Sequence, residues 1–233
     1  MNTTIKTGFA AICVLIALSC KKERSDLQST AENDALDIGT GKYPSVFIVN
    51  QTWMEKNLDV GYYRNGDKIP QVKDPVKWGT LTTGAWCWYN NDSVFGAVYG
   101  KLYNWYAVND PRGLAPIGWH VATDAEWDTL LTHLKHNPGG KLKDTGTIEA
   151  GTGLWYAPNK KAINTSGFTA LPGGRRWYDD GVFYELGYRG YWWTSTEYAL
   201  YNSWCRLMDY DGAWIYRTFN VKSDGFSVRC VKD

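Results

Sequence analysis

Thr123-Asp124-Ala125-Glu126-Trp127-Asp128-Thr129-Leu130-Leu131-Thr132-His133-Leu134 is the first fixed point in this chain. Threonine followed three residues later by glutamate is a capping box. Each side chain satisfies the other's backbone N–H, where a helix leaves its first donors unpaired. Trp127, Leu130, Leu131 and Leu134 then recur at helical spacing as an apolar stripe. The segment predicts a helix that begins at Thr123 and is ended by Pro138-Gly139-Gly140. Just upstream, Val98, Leu102, Trp105 and Tyr106 share one face at helical spacing, which predicts a second helix within Phe95–Asn109.

Outward from these helices the chain changes character. Val46-Phe47-Ile48-Val49 reads as a strand, with Gln51-Thr52-Trp53-Met54 as the start of its hairpin partner. Residues 59–93 are rich in Gly, Asp, Asn and Pro and read as loops with short strands. Beyond about residue 165, Phe168-Thr169-Ala170-Leu171 leads into a Pro172-Gly173-Gly174 turn, and short aromatic strands follow. Thirteen Trp and sixteen Tyr beside 24 Gly suit an aromatic-packed, turn-rich core rather than a helical one. Strands, then two helices, then a sheet make an α+β domain without internal repeats.

The amino end reads as an export signal. Lys6 charges a short n-region, an apolar stretch runs from Gly8 to Leu18, and Ser19 stands before Cys20. The stretch is too short to cross a hydrocarbon core, and Lys21-Lys22-Glu23-Arg24 follow at once. Ala17-Leu18-Ser19-Cys20 resembles the bacterial lipobox, which implies cleavage of residues 1–19 and lipidation of Cys20; two or more acyl chains anchor stably. Residues 20–42 are polar and read as a flexible stalk. The expectation is a lipoprotein of the cell envelope, on the outer membrane and facing periplasm or cell surface. With 25 basic and 24 acidic residues, the chain carries no basic footprint for nucleic acid.

Chemistry-bearing groups are sparse. His133 and His136 stand three apart near a helix end, a spacing that suits two metal ligands, but nothing nearby completes a closed site. His120, between Trp119 and Val121, reads as part-buried and hydrogen-bonded. Asn90-Asn91-Asp92 offers oxygen ligands but reads as a turn. Phosphate loop, nucleophile elbow and zinc-spaced cysteines are missing. Carboxylates such as Asp179-Asp180 and Asp209/Asp211 give no distance in space. No catalytic residue, metal or cofactor is expected.

Five motifs occur in order: Trp53-Met54-x-x-Asn57-Leu58, Gly118-Trp119-His120-Val121-Ala122-Thr123-Asp124-Ala125-Glu126-Trp127, Ala170-Leu171-Pro172-Gly173-Gly174, Gly190-Tyr191-Trp192-Trp193, and Gly225-Phe226-Ser227-Val228-Arg229-Cys230-Val231. Together they resemble the Fibrobacter succinogenes major paralogous domain, over residues 43–233. A more distant likeness is to formylglycine-generating enzymes and, through them, the C-type-lectin-like fold. It rests on the Thr-x-Ala-Glu-Trp helix start and the closing Gly-Phe-x-x-Arg-Cys strand. That likeness implies two helices flanking a small, irregular antiparallel sheet. Those enzymes depend on a close cysteine pair before the last strand, where this chain has Cys205 alone, so their activity is not carried over.

The segment 198–221 is the candidate for function. Trp204, Arg206, Met208 and Tyr210 alternate with Cys205, Leu207, Asp209 and Asp211, so a strand places the two sets on opposite faces. The even set is expected to face the core and the odd set outward. Asp211-Gly212 reads as a hairpin turn and Ala213–Phe219 as the return strand. The family resemblance implies that codons here are, in some members, randomised by retroelements. The matching ligand-binding positions are Tyr198, Tyr201, Cys205, Leu207, Asp209, Asp211, Thr218 and Phe219. By phase Cys230 falls with Phe226 and Val228 on the core face, which makes a Cys87–Cys230 disulfide a better candidate than Cys205–Cys230; spacing alone does not settle the pairing. The expectation is a non-enzymatic binding or adhesion module for a protein or glycan. The rivals are a formylglycine-generating-type or glycan-active enzyme and a structural envelope component.

Overall fold

The computed structural model describes residues 43–233. The expected signal peptide, the expected lipidation site Cys20 and the expected stalk lie outside the described residues. Among the described residues, no helix is long and apolar enough to cross a membrane. The domain is a β-rich α+β arrangement with short helices.

Strands β1 (Ser45–Ile48) and β2 (Gln51–Met54) form the expected antiparallel hairpin, with Val46 opposite Trp53. Helix α1 (Pro75–Gly79) and strand β3 (Trp86–Cys87) follow. The single helix expected over Phe95–Asn109 is three elements: α2 (Ser93–Tyr99), β4 (Leu102–Tyr103) and α3 (Trp105–Val108). Gly100 ends α2 at φ 75, and a Cβ there would lie 3.0 Å from the Leu58 carbonyl oxygen. The Asn104 side chain then caps α3 by accepting the Ala107 N–H at 3.1 Å. Because the helical period is broken, Val98 is exposed while Trp105 is buried.

Strand β5 (Trp119–Val121) leads into α4 (Asp124–Leu134), whose capping box forms as expected: the Glu126 carboxylate accepts the Thr123 N–H at 2.7 Å. Trp127, Leu130 and Leu134 are buried by it. The helix stops before Pro138, because Lys135 turns to φ 54, and Pro138 instead opens its own short helix, α5 (Pro138–Leu142).

The carboxyl half builds β6 (Gly173–Arg176), β7 (Phe183–Leu186), β8 (Arg189–Glu197), β9 (Asn202–Asp209), β10 (Ile215–Val221), β11 (Ser227–Val228) and β12 (Cys230–Lys232). The expected Pro172-Gly173-Gly174 turn is thus corrected. Both glycines begin an interior strand, and at Gly174 (φ 62) a Cβ would sit 2.4 Å from the Tyr184 carbonyl oxygen. Sheet order is β10-β9-β8-β6-β7, with β11 beside β8; a second sheet runs β1-β2-β12-β5. In the latter, Val231 lies between Trp53 and His120, so the first and last strands share one sheet.

Core forms on both faces of the larger sheet. Trp192 and Trp193 are adjacent and both fully buried, one in each of two apolar clusters. On the Trp192 side, Trp53, Trp127 and Phe168 pack with ring centroids 5.0–5.6 Å apart. The motif residues converge there. Asn57 Oδ1 accepts from the Trp192 indole at 2.9 Å and from Arg229 Nη2 at 3.1 Å. Arg229 Nη1 donates to the carbonyls of Met54 and Phe168, both at 2.7 Å. Burial pulls Arg229 down to about 9, and these bonds keep it satisfied.

The expected Cys87–Cys230 disulfide is not formed. Cys87, Cys205 and Cys230 are free and buried. Cys87 packs in a third cluster with Val72, Trp78 and Leu102, whereas Cys230 belongs to the Trp193 cluster.

Candidate functional site

Strands β9 and β10 pair antiparallel in the expected hairpin, with Trp204 opposite Phe219 and Cys205 opposite Thr218. The assignment of faces is corrected. Met208 lies in the Trp192 cluster, as the even set requires, but Cys205 is also fully buried and Asp209 is 9% exposed. Strand β9 is an interior strand covered on both sides, so alternation sorts its side chains into two cores rather than into core and solvent.

The candidate positions therefore separate. Cys205 packs against Trp193 and accepts a hydrogen bond from Asn220 Nδ2 at 3.1 Å; burial pushes its thiol up to about 12. Asp209 is committed to Arg189 at 2.7 Å, and Arg189 also reaches Glu185 at 2.6 Å. Leu207 and Thr218 are half-buried, whereas Asp211, Tyr198, Tyr201 and Phe219 are exposed. Thr218 and Phe219, being consecutive in a strand, point to opposite faces. The eight positions do not make one surface.

What does form a surface is the free edge of the sheet. Tyr198 stacks on Phe219 with centroids 4.3 Å apart and meets Trp204 at 4.6 Å. The Arg217 guanidinium lies 3.3 Å over Trp204 and its Nε donates to Asp124 at 2.7 Å. Asp124 also pairs with buried Arg206, which reaches Asp128 at 2.8 Å. The first turn of α4 thus holds the hairpin through its carboxylates. Trp214 (56% exposed) and Tyr216 (48%), the latter on the opposite face of β10 from Phe219, add exposed rings along the same edge strand. These two and Arg217 were missed because the sequence reading treated one face of the hairpin as closed; an edge strand opens both.

Elsewhere, the readings of His120 and of Asn90-Asn91-Asp92 hold locally. Both His120 ring nitrogens are occupied, by Asp233 and Glu126 at 2.7 Å each. Asp92 caps α2 through the Val94 N–H at 2.9 Å, so Asn90-Asn91-Asp92 is a turn and cap. Among the described residues, no group of three metal-binding side chains is assembled.

A model of the Fibrobacter succinogenes major domain matches residues 46–232. The chain belongs to that family. The match spans nearly every described residue, so the Fibrobacter succinogenes major domain is the whole folded unit described above. No curated protein matches the chain. No solved structure matches it either.

Proposed function

We propose that this Fibrobacter succinogenes major domain is a non-enzymatic binding module with a C-type-lectin-like fold. It is carried by an outer-membrane lipoprotein acylated at Cys20, and it engages a glycan or protein ligand through the free edge around β10. One observation carries the reading. Among the described residues, five of the eight exposed aromatic side chains lie in this hairpin region: Tyr198, Tyr201, Trp214, Tyr216 and Phe219. Concentrated exposed apolar area marks an interaction site, and stacked rings held by an Arg–Asp pair are already ordered. The joining of first and last strands in one sheet, with α4 packed alongside, supports the lectin-like fold. The lone, buried Cys205 supports a non-enzymatic role, since a thiol held this far from ionisation is not a nucleophile at neutral pH.

The test compares the full-length chain with a Y198A/W214A/F219A variant on an array of envelope and plant glycans and against isolated envelope proteins. The wild type is expected to retain ligands that the variant loses, at equal melting temperature. Identical profiles would overturn the edge as the site. Stoichiometric copper or rapid alkylation of Cys205 in the folded protein would favour a formylglycine-generating-type or glycan-active enzyme instead. A blank glycan array beside binding only to envelope partners would favour a structural component.

A further inference from the structure

Across the sheet from β10, strands β6 and β7 carry an arginine with an unusual environment. Arg175 is 19% exposed and pairs with Glu185, with Nε and Oε2 2.8 Å apart. That N–H does not point at the oxygen: Nε is buried and makes no hydrogen bond. Neither Nη nitrogen is hydrogen-bonded to any described residue. The neighbouring Arg176 shows the contrast, donating to the carbonyls of Gly181, Val72 and Lys73 at 2.9, 2.6 and 2.8 Å. Arg175 is held instead by stacking. Its guanidinium lies 4.1 Å from the Trp177 ring and 5.3 Å from that of Tyr191. Part-buried, ion-paired through Nε and stacked on two rings, the guanidinium is fixed in place with both Nη nitrogens open to an acceptor from outside the protein.

The space beside it is a cleft of about 140 Å3 lined by Arg175, Trp177, Asp180 and Tyr184. Tyr184 is 40% exposed and pairs across the strands with Arg175, so both project from the same face. Its hydroxyl donates to Asp180 Oδ2 at 2.5 Å, while the other Asp180 oxygen accepts the Val182 N–H at 2.9 Å. The cleft therefore presents aromatic walls, free donors on one side and a fixed carboxylate on the other.

We propose that this cleft is a saccharide subsite taking one neutral pyranose ring, whose hydroxyls accept from Arg175 and donate to Asp180 while its C–H face lies on Tyr184 and Trp177. A neutral polyol is the class that satisfies both polar groups, because each hydroxyl both donates and accepts. An anion would meet Arg175 but be opposed by Asp180 and Glu185. The cleft's size fits a single ring, and an open site of this kind binds weakly. The proposal goes beyond the β10 edge and stands on different residues.

The test titrates the full-length chain with the methyl glycosides of glucose, galactose and mannose and with N-acetylglucosamine, read by saturation-transfer NMR and tryptophan fluorescence. Glucuronate and inorganic phosphate serve as anionic comparisons. Saturable binding of at least one neutral sugar is expected, weakened roughly tenfold or more by Y184A and by R175Q. I117A, at an exposed residue outside both surfaces, should leave it unchanged, whereas F219A reads any sugar held at the β10 edge. Tyr184 is exposed, so Y184A should melt with the wild type even if R175Q does not. No saturable binding by any neutral sugar at tens of millimolar, binding insensitive to Y184A, or preference for glucuronate or phosphate would each overturn the proposal. Loss with F219A but not Y184A would move sugar binding to the β10 edge and overturn the cleft alone.

Discussion

Asp224 shows how one residue's setting becomes a measurable property of the domain. It is 1% exposed, and its Oδ1 accepts the Tyr178 N–H at 2.9 Å. Burial raises its carboxyl from 3.8 to about 7, against the opposing pull of the Tyr178 N–H and Arg175. The native state therefore holds a proton that the unfolded chain releases near pH 4. Between about pH 4 and 7 the folded form binds more protons, so stability falls as pH rises through that window and levels off above it. Asp224→Asn keeps an oxygen for Tyr178 and removes the titration. We expect the variant to gain on the wild type by a few kcal/mol between pH 4 and 8, measured by urea unfolding at each pH. A constant difference across that range would mean that Asp224 is ionised throughout. Nothing in the sequence around Ser223-Asp224-Gly225 distinguishes this carboxylate from the exposed Asp179 or Asp180, because its burial comes from chain segments far away.

The same contrast separates elements. Helix α4 is legible because its signals are local: Thr123, Glu126 and the stripe behind them lie within three turns, and the β1–β2 hairpin is legible for the same reason. The break at Gly100 was not, since it depends on the approach of residues 57 and 58. Nor was the two-sided burial of β9, since period-2 alternation reports which side chains share a face and not what covers it. Asp124 spans both kinds of information. Within α4 it is an ordinary first-turn acid, but in space it holds Arg206 of β9 and Arg217 of β10, 82 and 93 residues away. Arg206 is 1% exposed, so losing its buried partner leaves the guanidinium with only the exposed Asp128 carboxylate beside it. Asp124→Ala should cost about 3–5 kcal/mol, whereas Asp128→Ala, at an exposed carboxylate, should cost under about 1 kcal/mol. Chemical denaturation of both variants checks this. Equal small losses would show that the hairpin does not depend on α4.

At the scale of the whole molecule, the proposed anchor and the proposed ligand surfaces belong to different parts of the chain. Strand β12 inserts between β2 and β5, so the last strand closes the sheet that the first two began. Among the described residues, the two large core clusters centre on Trp53, Trp127, Trp192 and Trp193, with Tyr43 packed against the Trp193 cluster. The proposed lipid at Cys20 lies 23 positions before Tyr43, and the aromatic edge and the Arg175 cleft both belong to the other sheet. We expect a tether at the amino end to leave those surfaces accessible. Cys20→Ala should block acylation and move the protein from the membrane to the soluble fraction. Because no described core residue is touched, the released chain should melt at the wild-type temperature and keep its ligand profile. Fractionation, palmitate labelling and a melting curve on the same preparation measure all three. Retention of Cys20→Ala in the membrane fraction after salt and carbonate washing would show that something other than the lipid holds the protein there.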